Sequence, residues 1–409
     1  MIAHILKTII KRKTTTRLLV IEFAIAFLTL FATGVFIARY ISNYQKPLGF
    51  KYSNVLQLDF QNLKGEDWDA QKVMIQSFAD LFKSFPEVEH VAFYDRNVPF
   101  QPKNYTELLD IKYQNTVIRR AKAAMSDNNL AAALSIKINE GRWFQNTDYT
   151  MKYLPIVINQ NLKDKLFGRK NALGETILLH KEPATIVGVI EDFRYAGDFS
   201  DAGPFFFIQS FFNVETTYNQ DLQIDANNSD YNCPAIIYLK LKDGIGLDFE
   251  NRLKQTINTK LPDWDFRIYK MENVRKTYIK RVWLPIFLVS LVVGFLLINI
   301  VLGLFGVLWY NISLRKSEIG LRMAVGANKK NIYRQFIGEM LILATLGILP
   351  GIIIAAQFTF LKVFDIENKV FIIAMLAATI IIYLLVMLCA LLPAAQAAKI
   401  QPAMALHEE

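Results

Sequence analysis

The sequence predicts an α-helical membrane protein with four transmembrane helices and a large α+β extracytoplasmic domain inserted between helices 1 and 2. Three observations predict it. Four apolar runs, Leu18 to Ala38, Trp283 to Leu314, Met340 to Leu361 and Val370 to Ala398, are long enough to cross a bilayer, which takes about 20 residues as helix. A long stretch of mixed strand and helix pattern separates the first run from the second. Lysine and arginine gather beside alternate ends of the runs, as they do on cytoplasmic loops.

Composition agrees. The 409 residues are 53% hydrophobic and only 20% charged, with a mean hydropathy of +0.23, which is too apolar for an ordinary soluble chain of this length. The net charge of +9 comes from basic residues beside apolar runs and not from an aromatic-studded basic domain, so nucleic acid is excluded as a partner class. Cys233 lies in a polar region and Cys389 in an apolar run, so no disulfide is expected. His4, His90, His180 and His407 are scattered, which predicts no metal site and no catalytic cluster.

In chain order, residues 1–17 form a cytoplasmic N-terminal segment carrying Lys7, Lys11, Arg12, Lys13 and Arg17 without an acid. Residues 18–41 form the first transmembrane helix. Its apolar core exceeds the roughly 7–15 residues of a signal-peptide core and lacks a small-x-small site before Arg39, so an uncleaved helix is expected. Glu22, about a turn inside Arg17, is expected to reach the interface. Residues 42–280 form the extracytoplasmic core domain with its stalk, and 281–313 the second transmembrane helix. A basic loop, 314–334, is cytoplasmic by its charge. Residues 335–361 are the third helix, 362–369 an external turn, 370–393 the fourth helix and 394–409 a cytoplasmic tail. Both termini then face the cytoplasm.

Within the domain, VLQLDF (55–60), PIVIN (155–159), ATIVGVI (184–190) and AIIYLKL (235–241) read as strands, and 70–85 and 249–261 as amphipathic helices. The cluster FFFIQSFF (205–212) reads as core or an edge strand. MENVRKTYIKR (271–281) is helical with a charged face, so helix is expected to run unbroken into the second apolar run as a stalk. The adjacent carboxylates Glu191 and Asp192 should diverge on a strand, which makes them strand-end charges and not an acid/base pair.

Catalytic motifs are missing from the sequence. GRKNALGET (168–176) lacks the Gly-Lys-Ser/Thr ending that holds phosphates, and no G-x-S-x-G elbow occurs. The basic loop carries more information. Residues 318–325 suit a short helix, Gly326 its left-handed stop and Asn328 the cap of the next helix. In the third apolar run, Gly347 and Gly351 form GxxxG, a spacing that permits close helix contact.

RKSEIGLRMAVGANKKNIYRQFIGE (315–339) resembles the signature of the FtsX-like/MacB-like ABC transporter permeases, in which this segment is the coupling helix seated in a cytoplasmic ATPase. The match implies that Arg315, Lys316, Glu318, Ile319, Gly320, Arg322, Ala324, Gly326 and Ala327 form the ATPase-coupling site. EGRWFQNTD (140–148), PIVINQNLKDKLFGRKNALGETI (155–177) and ATIVGVIEDFRYAGDF (184–199) resemble the family's periplasmic core domain, and PAAQAAKIQPAMAL (393–406) its C-terminal signature. Asn328 departs from the usual Ser or Thr, and His407 from Arg.

The resemblance implies a non-catalytic permease subunit of the bacterial inner membrane with a periplasmic domain. It would bind no cofactor itself; a separate cytoplasmic ABC ATPase would supply ATP and Mg. A second permease chain, identical or different, would complete a dimer, and a periplasmic adaptor or outer-membrane factor is a further partner. Export or release of a peptide, lipoprotein or antibiotic by mechanotransmission is the function implied. The alternative is an FtsX-like scaffold that regulates an envelope hydrolase without transport.

Overall fold

The computed structural model describes residues 13–60, 68–95, 97–100, 107–209, 236–245, 247–260, 262, 266–314, 321, 325, 329–361 and 366–397. The chain divides into a helical unit, residues 1–42 and 283–409, and a mixed unit, residues 43–282.

The mixed unit is built on an eleven-stranded sheet. Strands β1 (Val55–Phe60), β2 (Val88–Asp95), β10 (Ile236–Leu241) and β11 (Phe266–Lys270) lie in the order β11-β1-β10-β2, every neighbour antiparallel. Helix α2 (Trp68–Lys83) joins β1 to β2 and α5 (Leu247–Lys260) joins β10 to β11, so two interlocked βαβ units make a split, ferredoxin-like sheet. The helices bury one face each: Phe78 and Phe82 on α2, and Phe249, Leu253 and Ile257 on α5. That four-residue spacing forms the apolar stripe of an amphipathic helix.

Residues between β2 and β10 form a second body. Strands β3 (Glu107–Tyr113), β4 (Thr116–Ser126), β6 (Leu154–Asn159), β7 (Thr176–Leu179), β8 (Glu182–Ile190) and β9 (Phe205–Gln209) pair in the ring β4-β3-β7-β8-β6-β9-β4. Closing the ring leaves none of these six strands with a free edge along its paired length. Strand β5 (Ile138–Gly141) adds to β8. Between them, α3 is the single turn Leu130–Ala133 and α4 spans Gln160–Phe167. Asn159 caps α4 by accepting from Leu162 N–H at 3.1 Å, and Gly168 ends it at φ +60°.

The phenylalanine run is core on two sides. Phe206 and Ile208 join the aliphatic core, whereas Phe205 and Phe207 turn to an aromatic layer with Phe193 at 5.1 and 5.0 Å, and Phe207 also meets Trp143 at 5.0 Å. A strand buried on both faces needs a continuous apolar run, not an alternating one. Residues 210–212 lie outside the described residues.

Helices α1 (Lys13–Tyr44), α6 (Met271–Leu314), α7 (Lys329–Phe360) and α8 (Asn368–Ala397) contain windows long and apolar enough to cross a membrane. In the helical unit, α1 buries Leu19, Phe23, Ala26, Phe27, Phe31 and Val35, and α8 buries Val370, Phe371, Ala374, Ala378, Ile382, Val386 and Ala390, a stripe along one face of each helix. Of the apolar run of α6, among its described side chains, only Val293, Ile300, Leu304 and Ile312 are buried. The 44 residues of α6 span about 66 Å at 1.5 Å per residue, against a hydrocarbon core of about 30 Å.

Candidate functional site

The sequence-derived coupling residues Arg315, Lys316, Glu318, Ile319, Gly320, Arg322, Ala324, Gly326 and Ala327 lie outside the described residues. Within that segment the structure describes Leu321 and Val325, and Val325 N–H donates to Leu321 O at 3.0 Å, an i to i−4 bond. The next helix, α7, opens at Lys329. Among the described residues no group of three His, Cys, Asp or Glu side chains could hold a metal ion.

Gly347 and Gly351 face α1. A β-carbon placed on Gly347 would stand 2.5 Å from Phe23 Cβ and 2.8 Å from Val20 O, and one on Gly351 would stand 2.5 Å from Phe27 Cδ1. Both helices therefore approach more closely than any larger residue allows, the geometry small-xxx-small spacing serves in bilayers. Glu22 was expected at the interface. Its carboxylate lies against α6, where a β-carbon on Gly303 would stand 3.0 Å from Oε1.

Among the described residues of the mixed unit, a densely hydrogen-bonded polar group is the loop of residues 192–201, most of which lies in the segment that resembles the periplasmic core domain. It follows β8, so Glu191 and Asp192 lie just past a strand end. Glu191 pairs with Lys137, and Asp192 Oδ1 accepts from Asn159 Nδ2 and Asn161 N–H, both at 2.9 Å. Burial first, and then the neighbouring Asp164 and Glu191, raise the Asp192 carboxyl against the Asn161 bond and Arg194. Phe193 then anchors the loop in the aromatic layer, with ring contacts to Phe50, Phe205 and Phe207 at 4.9, 5.1 and 5.0 Å.

Arg194 is 2% exposed and spends its guanidinium on carbonyls from two chain segments. Nη1 donates to Lys46 O at 2.7 Å and Pro47 O at 3.3 Å; Nε and Nη2 donate to Ser200 O at 3.0 and 2.8 Å; Nη2 also reaches Asp198 O. Arg194 N–H donates to Leu48 O at 2.9 Å. Desolvation pulls its pKa down, opposed by Asp198 and Asp201. A buried charge is tolerated only with its donors satisfied in this way. The 46–50 segment runs so close that a β-carbon on Gly49, at φ +82°, would stand 2.2 Å from Asp192 O.

The same loop holds the ends of both long helices. At the end of α1, Asn43 Nδ2 donates to Asp201 Oδ1 at 2.7 Å and Phe199 O at 3.2 Å, and Tyr44 stacks on Phe199 at 5.8 Å. At the start of α6, Arg275 forks onto Asp198, Nη2 to Oδ1 at 2.7 Å and Nε to Oδ2 at 3.0 Å, and its guanidinium lies over the Tyr52 ring at 4.8 Å. The Asp198 bond chiefly raises the Arg275 pKa. One turn later Tyr278 covers Gly197, where a β-carbon would stand 2.4 Å from its Cε1 and φ is +91°. In the sequence these residues read FRYAGDF (193–199), charges interleaved with aromatics.

A second buried polar group surrounds Asp127. Asn129 N–H and Nδ2 each donate to its carboxylate at 3.1 Å, and Trp143 Nε1 donates to its carbonyl at 3.2 Å. Burial pushes the Asp127 carboxyl up to about 7 despite those bonds, and burial with Asp127 and Asp148 nearby pushes the Tyr149 hydroxyl up to about 12.

Two family models match the chain. The MacB-like periplasmic core domain family matches residues 21–255, and the FtsX-like permease C-terminal family matches residues 281–402. Among curated relatives, the macrolide export ATP-binding/permease protein MacB of Neisseria meningitidis is 28% identical over 228 residues, 54% of this chain and 33% of that protein. The MacB of Chromobacterium violaceum is 25% identical over 312 residues, 73% of this chain and 45% of that protein. The chain thus spans between a third and a half of the length of these relatives. Among solved structures, the periplasmic region of MacB from Actinobacillus actinomycetemcomitans matches with a TM-score of 0.38 at 14% identity, over 57% of this chain and 96% of that one. The extracellular domain of the transporter YknZ from Gram-positive bacteria matches with a TM-score of 0.34 at 10% identity, over 53% of this chain and 100% of that one.

Proposed function

The chain belongs to the family of MacB-like, FtsX-like permeases, and from that premise we propose that it is the membrane subunit of an ABC transporter working by mechanotransmission. The observation that carries the reading is α6. It begins in the mixed unit at Met271, fully buried there, and continues as one 44-residue helix through the second apolar run. Pro285 lies inside this helix and removes one of its backbone hydrogen bonds; the helix continues across it, and shifts of such elements are a recognised way of passing a conformational change along a chain.

In this reading the protein sits in the bacterial inner membrane with both termini in the cytoplasm and residues 42–280 in the periplasm, as the charges of 1–17 and 314–334 require. ATP and Mg are bound by an ABC ATPase outside these 409 residues. It engages the 314–334 segment, with Glu318 and Arg322 among the contacts. Two permease chains pair to complete the machine. Along α6, Phe287, Leu291, Phe295, Ile298 and Leu302 are each more than half exposed in the single chain, an apolar surface that lipid or the second chain can cover. Gly347 and Gly351 hold α7 on α1 within a chain. The cargo is exported or released on the periplasmic side as a peptide, lipoprotein or antibiotic.

Affinity purification of the tagged full chain from its native host tests the proposal. A P-loop ATPase should co-purify, and Glu318→Lys combined with Arg322→Glu should reduce its recovery while membrane insertion is kept. Equal recovery with the double variant would remove the coupling role of 314–334.

A further inference from the structure

Two chain segments connect the helical unit to the mixed unit: the end of α1 and the start of α6. Residues 43–48 and 271–278 are far apart in sequence; Arg275 bonds the Tyr44 side chain directly, and the other side chains and carbonyls that fasten the two segments converge on one loop. Asn43 binds Phe199 O and Asp201; the carbonyls of Lys46 and Pro47 bind Arg194; Arg275 binds Asp198; Tyr278 covers Gly197. The loop is itself rooted by Phe193 in the aromatic layer and folded around the Arg194 guanidinium, which donates to Asp198 O and Ser200 O.

We propose that residues 194–201 form a coupling junction, a core-anchored loop that locks the exit of α1 to the entry of α6, so that the two helices move the domain only together. The inference rests on the permease reading for its purpose, but the linkage stands on geometry alone. An irregular loop held by a buried arginine is a costly way to build stability. Replacing such polar networks by apolar packing is often neutral or stabilising, whereas removing one partner leaves a buried charge unmatched. What the network supplies is definition: Arg194 has one arrangement in which all its donors are met, and that arrangement fixes residues 46–48 relative to 198–200.

The separate roles follow from the contacts. Arg194 sets the α1 side, because its bonds reach Lys46, Pro47 and Leu48 and none reaches α6 directly. Asp198 sets the α6 side through its carboxylate, and its carbonyl is one of the acceptors of Arg194. Gly197 is the contact surface for Tyr278, where both the positive φ and the lack of a β-carbon are needed. The three positions are consecutive parts of one lock, not three local stabilisers.

Hydrogen–deuterium exchange on the full chain in lipid nanodiscs tests the junction. The variants are Arg194→Lys, which loses the fork that spans two segments, and the milder, isosteric Asp198→Asn. A junction predicts that each variant speeds exchange in both segments, 44–50 and 272–282, by about tenfold, the scale of one lost charge-assisted bond. Arg194→Lys should therefore loosen the start of α6, to which none of the Arg194 guanidinium bonds runs. Exchange that rises only in the segment contacted by the altered side chain would overturn the proposal, and Asp198→Asn decides it where Arg194→Lys fails to fold. The failure of the permease reading looks different: no ATPase would co-purify with the unaltered chain, whatever the exchange pattern.

Discussion

Substituting alanine at Gly347 and at Gly351 should have different consequences, and the structure gives the reason. At Gly347 the new β-carbon meets Phe23 Cβ at 2.5 Å and Val20 O at 2.8 Å; at Gly351 it meets Phe27 Cδ1 at 2.5 Å, with Phe27 Cβ at 3.4 Å. Phe23 Cβ and Val20 O are fixed to the α1 backbone and cannot swing aside. The Phe27 ring can turn about its own bonds. Gly347→Ala must then push α7 off α1 and should cost about 2–3 kcal/mol, the upper part of the range for overpacking, whereas Gly351→Ala should cost about 1 kcal/mol.

Double-mutant cycles separate the two cases. Truncating Phe27 to alanine removes the ring atom that clashes, so Gly351→Ala and Phe27→Ala should couple by about 1 kcal/mol. Truncating Phe23 leaves its β-carbon in place, so Gly347→Ala should gain nothing from Phe23→Ala. The assay is reversible unfolding of the full chain in mixed micelles, read by far-UV circular dichroism. Equal coupling in both cycles, or a Gly347→Ala variant as stable as the parent, would refute the close approach of α7 and α1.

Two further predictions concern the mixed unit. The Asp127 carboxyl stands at about 7 in the folded chain against an ordinary 3.8, so folding favours its protonated form; its contribution is complete below about pH 4 and is lost as pH rises through 7, roughly 4 kcal/mol in all. Tryptophan fluorescence melts, reporting through the neighbouring Trp143, should show this loss in the parent chain and not in Asp127→Asn; identical pH profiles would contradict it. Asp148 is 2% exposed and is held by the Arg142 fork at 2.5 and 2.6 Å and by Gln145 N–H at 2.8 Å. Arg142→Ala should therefore destabilise the chain by about 3 kcal/mol in denaturant unfolding, with Arg142→Lys recovering only part of it.

How far the fold was legible depends on whether its signal is local. The four apolar helices and the strands at 55–60, 154–159, 182–190 and 236–241 are apolar enough to read from pattern, as is the unbroken helix from Met271. Strand β4, TVIRRAKAAMS, was not legible, because its first half is exposed and charged and only its second half is buried. Strands β5, β7 and β11 are four or five residues long and gain their structure from distant partners, which no local window contains. The site divides in the same way. The spacing of Gly347 and Gly351 is visible in sequence, but their neighbours on α1 lie more than 300 residues away. The 194–201 loop escaped because its meaning lies in three segments, 43–48, 192–201 and 275–278, that meet only when the sheet closes.

Distance measurement between the two copies of an assembled transporter tests the central claim most directly. A single spin label at exposed Lys254 on α5, with Cys233 and Cys389 replaced by serine, reports on the separation of the paired mixed units by pulsed electron paramagnetic resonance. The reading predicts a distance distribution that shifts by several ångströms between the nucleotide-free assembly and one trapped with ATP on its ATPase. An assembly that hydrolyses ATP and moves cargo with the label distances unchanged would contradict mechanotransmission by this chain.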